Sequence, residues 1–307
     1  MDSFSDLTLF AQIAKLGSMA AAAQELGVTP PVVSRRLAAL EARLGVRLLN
    51  RTTRRSSLTP EGEQYLNDGA RILEELSALE SRLGGGTHQP MGTIRIGATL
   101  GFGRMYIAPV LSKFTQEFPQ VEVQLHLTDR PINLVEQGFD LVIRFGEQAD
   151  SRLTARLLAN NRRLLCAAPS YLKKLGVPAT PRELGKHNCI FIREGDETYG
   201  TWYLRRAGEV EAVKVRSNLS SNDGTAALGW AIEGRGILLR SQWDIAEHLR
   251  SKRLVPVLGD WSSPPADVYA VFQATKQMPA KIRTMVDRLV DAFEPWRRRA
   301  AEPCGPW

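Results

Sequence analysis

The segment GSMAAAAQELGVTPPVVSRRLAALEARLG, residues 17–45, decides the fold of the first part of the chain. Ser18 can cap a short alanine-rich helix that ends at Gly27, because a hydroxyl accepts hydrogen bonds from a first turn and glycine adopts the left-handed conformation after a last turn. Thr29, as an N-cap, and Pro30 then open another helix that runs to the end of the segment. Two helices separated by so short a turn are typical of a helix-turn-helix.

The residues before this segment predict a supporting helix. Apolar side chains recur there at spacings of three and four, which is the period of an amphipathic helix: Phe4, Leu7, Phe10, Ala11 and Ala14. In a helix-turn-helix the last helix lies in the DNA major groove, and its N-terminal residues reach the base edges. The first part of the chain is therefore predicted to bind duplex DNA.

On the predicted recognition helix, Pro31, Ser34 and Arg35 share one face. Ser34 can hydrogen-bond to several bases, and a guanidinium at Arg35 can donate two hydrogen bonds to guanine. We expect DNA contacts in this region from Thr29, Pro30, Pro31, Ser34, Arg35 and Arg36.

A basic turn follows the recognition helix. Residues 46–50 and 56–58 predict two short strands, and Arg51, Arg54 and Arg55 lie around the turn between them. Such a wing can contact phosphates or enter the minor groove. Residues 35–55 hold seven Arg and one Glu, a net charge of +6, whereas residues 1–86 hold ten basic and ten acidic residues, a net charge of zero. The basic charge is therefore concentrated on the predicted DNA-binding elements.

A long helix is predicted from Pro60, with Thr59 as its cap. Its apolar stripe resembles a coiled-coil seam, and the candidate dimerisation residues are Leu66, Leu73, Leu76 and Leu83. Gly69 and Glu80 interrupt this seam. Its partner is either a second copy of the chain or this chain's own domains. Residues 84–90, GGGTHQP, predict a flexible linker.

From residue 91, buried strands alternate with helices, which favours a parallel, doubly wound α/β fold. We expect a helix up to Phe118 and a short helix from Pro131 to Gln137. The segments 267–273 and 279–293 are expected to return to the first of two lobes. The expected domains are 1–59 (winged helix-turn-helix), 60–90 (linker helix and hinge), 91–296 (effector domain, with lobe I at 91–160 and 267–296 and lobe II at 161–266) and 297–307 (a solvated basic tail).

Ligands of open α/β sheets bind beyond the carboxyl ends of the strands. The candidate effector-binding residues at such ends are Thr99, Leu100, Gly101, Phe102, Thr128, Asp129, Arg144 and Asn222. Arg144 can form a bidentate pair with a carboxylate. The alternative is that these residues only form turns and caps, with Arg144 paired to a neighbouring acid.

Composition and spacing exclude several classes of protein. The 307 residues carry 40 basic and 33 acidic side chains, and 43% are hydrophobic, which is ordinary for a globular chain. No apolar run approaches the roughly 18 residues of a membrane helix, and we expect no signal peptide. The three cysteines are too widely spaced for a metal cluster or a disulfide framework, so we expect buried thiols in a reducing cytoplasm: Cys166, Cys189 and Cys304. The histidines show no metal-ligand spacing either: His88, His126, His187 and His248. We expect no metal, no cofactor and no catalysis.

Several motifs together resemble the LysR-type transcriptional regulators: VSR at 33–35, LEARLG at 40–45, LLNRTTR at 48–54 and LTPEG at 58–62. Later motifs, including GFD at 138–140 and APSYL at 168–172, resemble a branch with regulators of organic-acid metabolism. The resemblance implies an effector domain similar in architecture to periplasmic binding proteins. It also implies a cytoplasmic homotetramer, a dimer of dimers, that binds promoter DNA and responds to a small-molecule effector. We expect effector binding to change the orientation of the two lobes, and through the tetramer the access of RNA polymerase to the promoter.

By the same resemblance, Pro31, Ser34 and Arg35 read bases, and Arg54 is the wing arginine. Thr99 and Thr128 match effector-site positions. Pro30 departs from the family, which often has a polar residue such as Gln there. Two other functions remain open at this point: a solute-binding protein that serves a transporter, which requires export, and an enzyme that uses the interlobe cleft.

Overall fold

The computed structural model describes residues 3–51, 56–83, 89–146, 152–193, 200–274 and 278–298. The chain divides into two compact units, Met1–His88 (unit 1) and Gln89–Trp307 (unit 2). In the described ranges, no helix combines the length and the apolar character needed to cross a bilayer.

Unit 1 begins with three helices, α1 (Ser3–Leu16), α2 (Met19–Glu25) and α3 (Pro30–Leu44). These confirm the predicted helix-turn-helix and its supporting helix. Their shared core consists of apolar side chains at helical spacing, among them Leu9, Phe10, Ile13, Ala22, Ala23, Val33, Leu37 and Leu40.

The ends of these helices follow the predicted caps, with one exception. The Ser18 hydroxyl accepts a hydrogen bond from Ala21 N at 3.4 Å, and Gly45 ends α3 with φ of +73°. Thr29 occupies the N-cap position of α3, but its side chain makes no capping hydrogen bond. The reason is that Pro31 has no N–H to donate, and the N–H of Val32 bonds instead to the Thr29 carbonyl at 2.9 Å.

The wing strands β1 (Leu49–Arg51) and β2 (Ser56–Leu58) pair antiparallel, and helix α4 (Pro60–Leu83) follows them. The Thr59 hydroxyl accepts from Gly62 N at 3.0 Å and donates to the Arg47 carbonyl at 2.7 Å. A Cβ on Gly62 would lie 2.0 Å from the Leu48 carbonyl oxygen, so only glycine fits there. These contacts fix the start of α4 against the base of the wing.

Unit 2 contains two five-stranded sheets, a separate two-stranded sheet and helices around them. Its described strands, in chain order, are β3 (Gly92–Ala98), β4 (Val121–Leu127), β5 (Leu141–Phe145), β6 (Leu153–Ala159), β7 (Arg163–Ala167), β8 (Cys189–Ile192), β9 (Thr201–Arg206), β10 (Glu209–Lys214), β11 (Ser220–Ser221), β12 (Ile237–Ser241), β13 (Val255–Pro256) and β14 (Val268–Gln273). Its described α-helices are α5 (Leu100–Phe102), α6 (Ala108–Glu117), α7 (Pro169–Leu175), α8 (Gly224–Ile232), α9 (Gln242–Arg250), α10 (Ala280–Ala292) and α11 (Glu294–Arg298). A π-helical turn, Gly103–Ile107, joins α5 to α6.

The two sheets are mixed, so the expectation of purely parallel sheets is wrong. Lobe I has the strand order β4-β3-β5-β14-β6, in which β3 is parallel to both β4 and β5 but β14 is antiparallel to its two neighbours. Lobe II has the order β11-β8-β12-β7-β13, with β7 antiparallel to both neighbours. The cause is the path of the chain: β7 and β14 each enter their sheet from the other lobe and so run opposite to the neighbouring strands.

Other details of unit 2 differ from the sequence analysis. The segment 131–137 is not a helix: a single turn there ends at once, because Gly138 takes φ of +65° and Phe139 N donates to the Leu134 carbonyl. Strand β6, the β9–β10 hairpin and helix α9 were not predicted. Arg297 lies in α11 instead of a solvated tail, and its guanidinium donates to the Val290 carbonyl at 2.7 Å. Residues 299–307 lie outside the described part.

The chain passes between the lobes twice, after β6 and before β14. The buried Asn161 ties the two crossings together. Its backbone N–H donates to Asp267 Oδ1 at 2.7 Å, and its side-chain amide donates to the Ala266 carbonyl at 2.8 Å. These bonds make the two crossings one connected hinge between the lobes.

Candidate functional site

The start of α3 presents a compact exposed face. Thr29, Pro30, Pro31 and Arg35 are exposed there, and Ser34 is half-buried beside them. The opposite side of the helix carries the buried residues Val33, Leu37 and Leu40. The structure therefore brings five of the predicted DNA-binding residues together on one surface, and the buried stripe fixes the rotation of that surface.

Arg36, also expected to contact DNA, is held inside unit 1. Its Nη2 lies 3.2 Å from Asp6 Oδ1 and donates to Ser5 Oγ at 2.6 Å. Asp6 is 2% exposed, and Arg43 Nη2 lies 3.4 Å from its other oxygen. Two of the seven arginines that gave the +6 charge thus face a buried carboxylate. Asp6 was not predicted as a partner of these arginines, although the sequence marks it as an acid one turn before Phe10 on the apolar stripe of α1.

The predicted wing arginines are described only in part. Arg51 ends β1, and its side chain lies outside the described residues, as do Arg54 and Arg55 altogether. The base of the wing is held by Glu41 of α3, whose Oε1 accepts hydrogen bonds from the backbone N–H groups of Leu48 and Leu49 at 2.9 and 3.3 Å. The wing therefore starts at a fixed position relative to α3.

The predicted seam of α4 has two parts. Leu66 packs against the core of the helix-turn-helix, and a Cβ on Gly69 would lie 2.1 Å from Leu7 Cδ1 in α1. This part of the seam faces the chain's own helices, as the alternative interpretation held. Leu73 and Leu76 are half-buried beside the exposed Ile72, and the Leu83 side chain lies outside the described residues.

In unit 2, the residues after β3 form the first turns of the following helix. Thr99 makes no side-chain cap, but its carbonyl accepts from Gly103 N at 2.8 Å. Leu100 and Gly101 are half-buried. Phe102 is fully buried, with its ring 5.4 Å from that of Trp243, so its side chain belongs to the core and does not face a ligand.

Asp129 and Asn222 come together across the two lobes. Asn222 Nδ2 donates to Asp129 Oδ2 at 2.8 Å. A second interlobe bond runs from Arg104 Nη2 to Thr225 Oγ1 at 3.2 Å. The Thr128 hydroxyl accepts from Arg130 N at 3.0 Å, which is the turn-forming role of the alternative interpretation.

Arg144 lies elsewhere in lobe I. It sits in β5 opposite Tyr269 of β14, between Ile143 and Phe145. Those two neighbours belong to the same core as Phe102. Because side chains alternate along a strand, Arg144 is on the other face of the sheet. Burial lowers the pKa of its guanidinium from the ordinary arginine value.

A basic residue that the sequence analysis missed lies near the Thr99 segment. Arg240 in β12 has a side chain only 13% exposed, and its Nε lies 2.5 Å from Asp244 Oδ2. Its guanidinium is 5.2 Å from the ring centroid of Trp243. In the sequence, Arg240 could have been recognised as an arginine at the end of a buried strand, followed three and four residues later by Trp243 and Asp244.

The two described cysteines are buried, which confirms the prediction for them. Burial raises the pKa of the Cys166 and Cys189 thiols to about 12. Cys304 and His88 lie outside the described residues. The described residues contain no group of three or more His, Cys, Asp or Glu arranged to hold a metal ion.

Two family models match this chain. Residues 4–63 match the bacterial regulatory helix-turn-helix protein model of the lysR family, and residues 87–294 match the LysR substrate binding domain. The chain belongs to the LysR family of transcriptional regulators. It is a DNA-binding transcriptional regulator with an effector-binding domain, and not an enzyme.

Named relatives of this LysR-type regulator cover nearly its whole length. It is 40% identical to the HTH-type transcriptional regulator DmlR of Escherichia coli K12, over 94% of each chain. It is 39% identical to the transcriptional activator TtdR of the same strain, over 92% of this chain and 91% of TtdR. Among solved structures, CrgA, a LysR-type regulator from Neisseria meningitidis, matches with a TM-score of 0.59 and 31% identity, covering 95% of this chain and 99% of CrgA.

Proposed function

We propose that this LysR-type regulator reads promoter DNA with the exposed face of α3 and its wing, and responds to an anionic, organic-acid-like molecule bound between the lobes of unit 2. The proposal that α3 reads DNA rests on the exposed position of Arg35, which lies beside Pro31 and Ser34 on the side of α3 opposite its buried residues. The second half is supported by the polar and basic residues that meet where strands of both lobes end.

The DNA-binding half depends on how firmly α3 is held. Asp6 and Glu41 are each committed to contacts inside unit 1, Asp6 with two arginines and Glu41 with the base of the wing. A fixed helix lets Arg35 approach a base edge in one orientation, and bidentate pairing requires that orientation. The wing arginines add phosphate contacts that do not depend on base sequence.

The regulatory half depends on a change in the relative orientation of the two lobes. Two short crossings join them, and two of the described interlobe bonds, Asn222–Asp129 and Arg104–Thr225, are polar and partly exposed. A ligand that contacts both lobes favours the orientation in which it binds best, and so shifts the population. In a dimer of dimers, such a shift changes the spacing of the paired recognition helices and with it the access of RNA polymerase.

Assembly through α4 is part of the same proposal. Ile72 is 49% exposed, and Leu73 and Leu76 beside it are half-buried, so the middle of this helix offers apolar surface to a second copy. Two recognition helices joined in this way would read two half-sites of an operator.

The test is a binding titration with the purified full chain. Fluorescence anisotropy would compare a duplex from the region upstream of its own gene with a random duplex of equal length at near-physiological salt. We expect tighter binding to the upstream duplex, and weaker binding to both as salt rises. Equal affinity for the two duplexes would refute sequence-specific regulation through that region.

A further inference from the structure

Arg240 lies where the two lobes meet, and Gly224 makes room for it. A Cβ on Gly224, the first residue of α8, would lie 2.1 to 2.4 Å from Nη2, Cζ and Nη1 of Arg240. A Cβ on Gly101, in the turn after β3, would lie 3.7 Å from Nη2. The guanidinium therefore lies against the backbone of lobe II and faces the predicted effector-binding turn of lobe I.

The guanidinium keeps donors available. A guanidinium has five N–H donors, and Nε of Arg240 is used by Asp244. No described residue accepts a hydrogen bond from either Nη group. The side chain is 13% exposed, so these donors are largely removed from water. Such a group attracts an anion more strongly than a fully solvated arginine does.

Both carboxylates near Arg240 already have hydrogen-bond partners. Asp244 balances Arg240, and the nearby Asp223 is already engaged as the cap of α8, where it accepts from Thr225 N at 2.8 Å. Arg104 of lobe I reaches Thr225 and adds a second positive charge beside this turn. An incoming oxyanion would thus meet two guanidinium groups, one from each lobe.

Arg240 is also coupled to the packing between the lobes. Its guanidinium stacks on Trp243 of α9, and that indole lies in the core of lobe I, next to Phe102 and Tyr106. Tyr106 donates a hydrogen bond to the Trp243 carbonyl at 3.3 Å. A ligand that moves Arg240 would therefore also act on Trp243. That residue belongs to lobe II by its place in the sequence, but its side chain packs in the core of lobe I.

We propose that the Nη groups of Arg240 bind an oxyanion of the effector, a carboxylate or a phosphate, and that Trp243 passes the resulting displacement to lobe I. This inference rests on the proposed function, in which a small molecule binds between the lobes. It makes Arg240, and not Arg144, the main partner of the effector's negative charge.

The test measures ligand binding to the full chain by thermal shift and calorimetry. The probes are succinate, malate and benzoate, each paired with its neutral amide, and inorganic phosphate, which separates the two oxyanion sources. We expect one or more of the anions to stabilise the chain while its neutral counterpart does not. R240Q should weaken that binding at least about tenfold, the effect of losing a charge-assisted hydrogen bond.

Three further variants separate the contact from general damage. G224A keeps the arginine but displaces it, so it should weaken binding as R240Q does. G229A lies in the same helix with nothing within 4 Å of the added Cβ, so it should bind like the unaltered chain. If R240Q folds poorly because Asp244 loses its partner, the double variant R240Q/D244N removes both charges and should fold without binding the anion.

The inference would be overturned by unchanged affinity in R240Q and G224A, by equal binding of the neutral amides, or by no binding of any anion in the panel. A tenfold loss in R144Q with none in R240Q would do the same. The proposed function is judged separately by the operator titration. Sequence-specific DNA binding together with unchanged ligand affinity in R240Q would leave the proposed function in place and remove Arg240 from it.

Discussion

Asp6 of α1 and Arg36 of α3 form an ion pair in which Oδ1 and Nη2 are 3.2 Å apart and the carboxylate is almost completely buried. Since the same carboxylate also faces Arg43, this one acid fixes two points along α3. The pair therefore links the supporting helix to the helix that presents Arg35.

Asp6→Asn should lower the free energy of unfolding of unit 1 by roughly 1–3 kcal/mol, because it removes the buried negative charge and leaves one of the two guanidinium groups facing an amide donor instead of an acceptor. Urea unfolding followed by circular dichroism measures this loss. Glu25→Gln, on the exposed end of α2, is the matched control and should leave stability unchanged. Equal midpoints for the two variants would show that Asp6 does not hold α3.

Arg35→Ala should reduce the discrimination between operator and random duplex by about 1–3 kcal/mol, since a bidentate base contact is lost. Its melting temperature should stay unchanged because the side chain is exposed. Arg54→Ala should instead weaken binding to both duplexes by a similar factor, as expected for a phosphate contact. Parallel anisotropy titrations measure both effects, and equal losses on the two duplexes from Arg35→Ala would exclude it from base reading.

The thiols of Cys166 and Cys189 should not react with a disulfide reagent at pH 8 in the folded protein. Burial removes both from solvent and raises the pKa of each thiol to about 12, so little thiolate forms. A Cys304→Ser variant isolates these two residues. We expect no reaction in buffer and two reactive thiols in denaturant, and rapid reaction in buffer would contradict the burial.

The stability of unit 2 should fall as the pH drops below 6.5. Burial is the main cause that lowers the pKa of His187 below its ordinary 6.5, with Glu183 opposing and Lys186 adding to the shift. The unfolded chain therefore binds a proton at a pH where the folded chain does not, and protonation favours unfolding.

Urea midpoints measured between pH 8 and pH 5 test this dependence. His187→Asn should reduce the pH dependence in part, because burial also lowers the pKa of His248. His126→Asn, on an exposed strand position, serves as the control and should keep the full dependence. A pH dependence that is identical in His187→Asn and the unaltered chain would rule out this histidine.

Helix boundaries could be predicted where local chemistry decides them. Ser18, Gly27, Gly45 and Thr59 mark helix starts and ends through caps and backbone conformation, which depend on neighbours in sequence. The direction of β7 and β14 could not be predicted, because an apolar buried strand has the same pattern in either direction. That direction is set by the side from which the chain arrives, because β7 and β14 each come from the other lobe.

Prediction of the candidate site from the sequence was limited in the same way to features that depend on sequence neighbours. The exposed face at Pro31 and Arg35 follows from helical spacing alone. Other contacts of the arginines form between residues that meet only after folding. Arg36 pairs with Asp6, and Arg240 lies against Gly224. Charge counts therefore located the DNA-binding region but could not tell which arginines are free to serve it.

The strand order of lobe I has a consequence for synthesis of the protein. Strand β14 lies between β5 and β6, and among the described strands β6 pairs with β14 alone. On the ribosome, β6 emerges before the whole of lobe II, and β14 emerges after it. Until then the nascent chain has an open edge at β5 and an unpaired β6, both available to a chaperone or to aggregation. A nonsense codon between β6 and Val268 would leave that edge open for good, so such truncated products should be cleared by proteolysis instead of persisting as DNA-binding fragments with a folded lobe I.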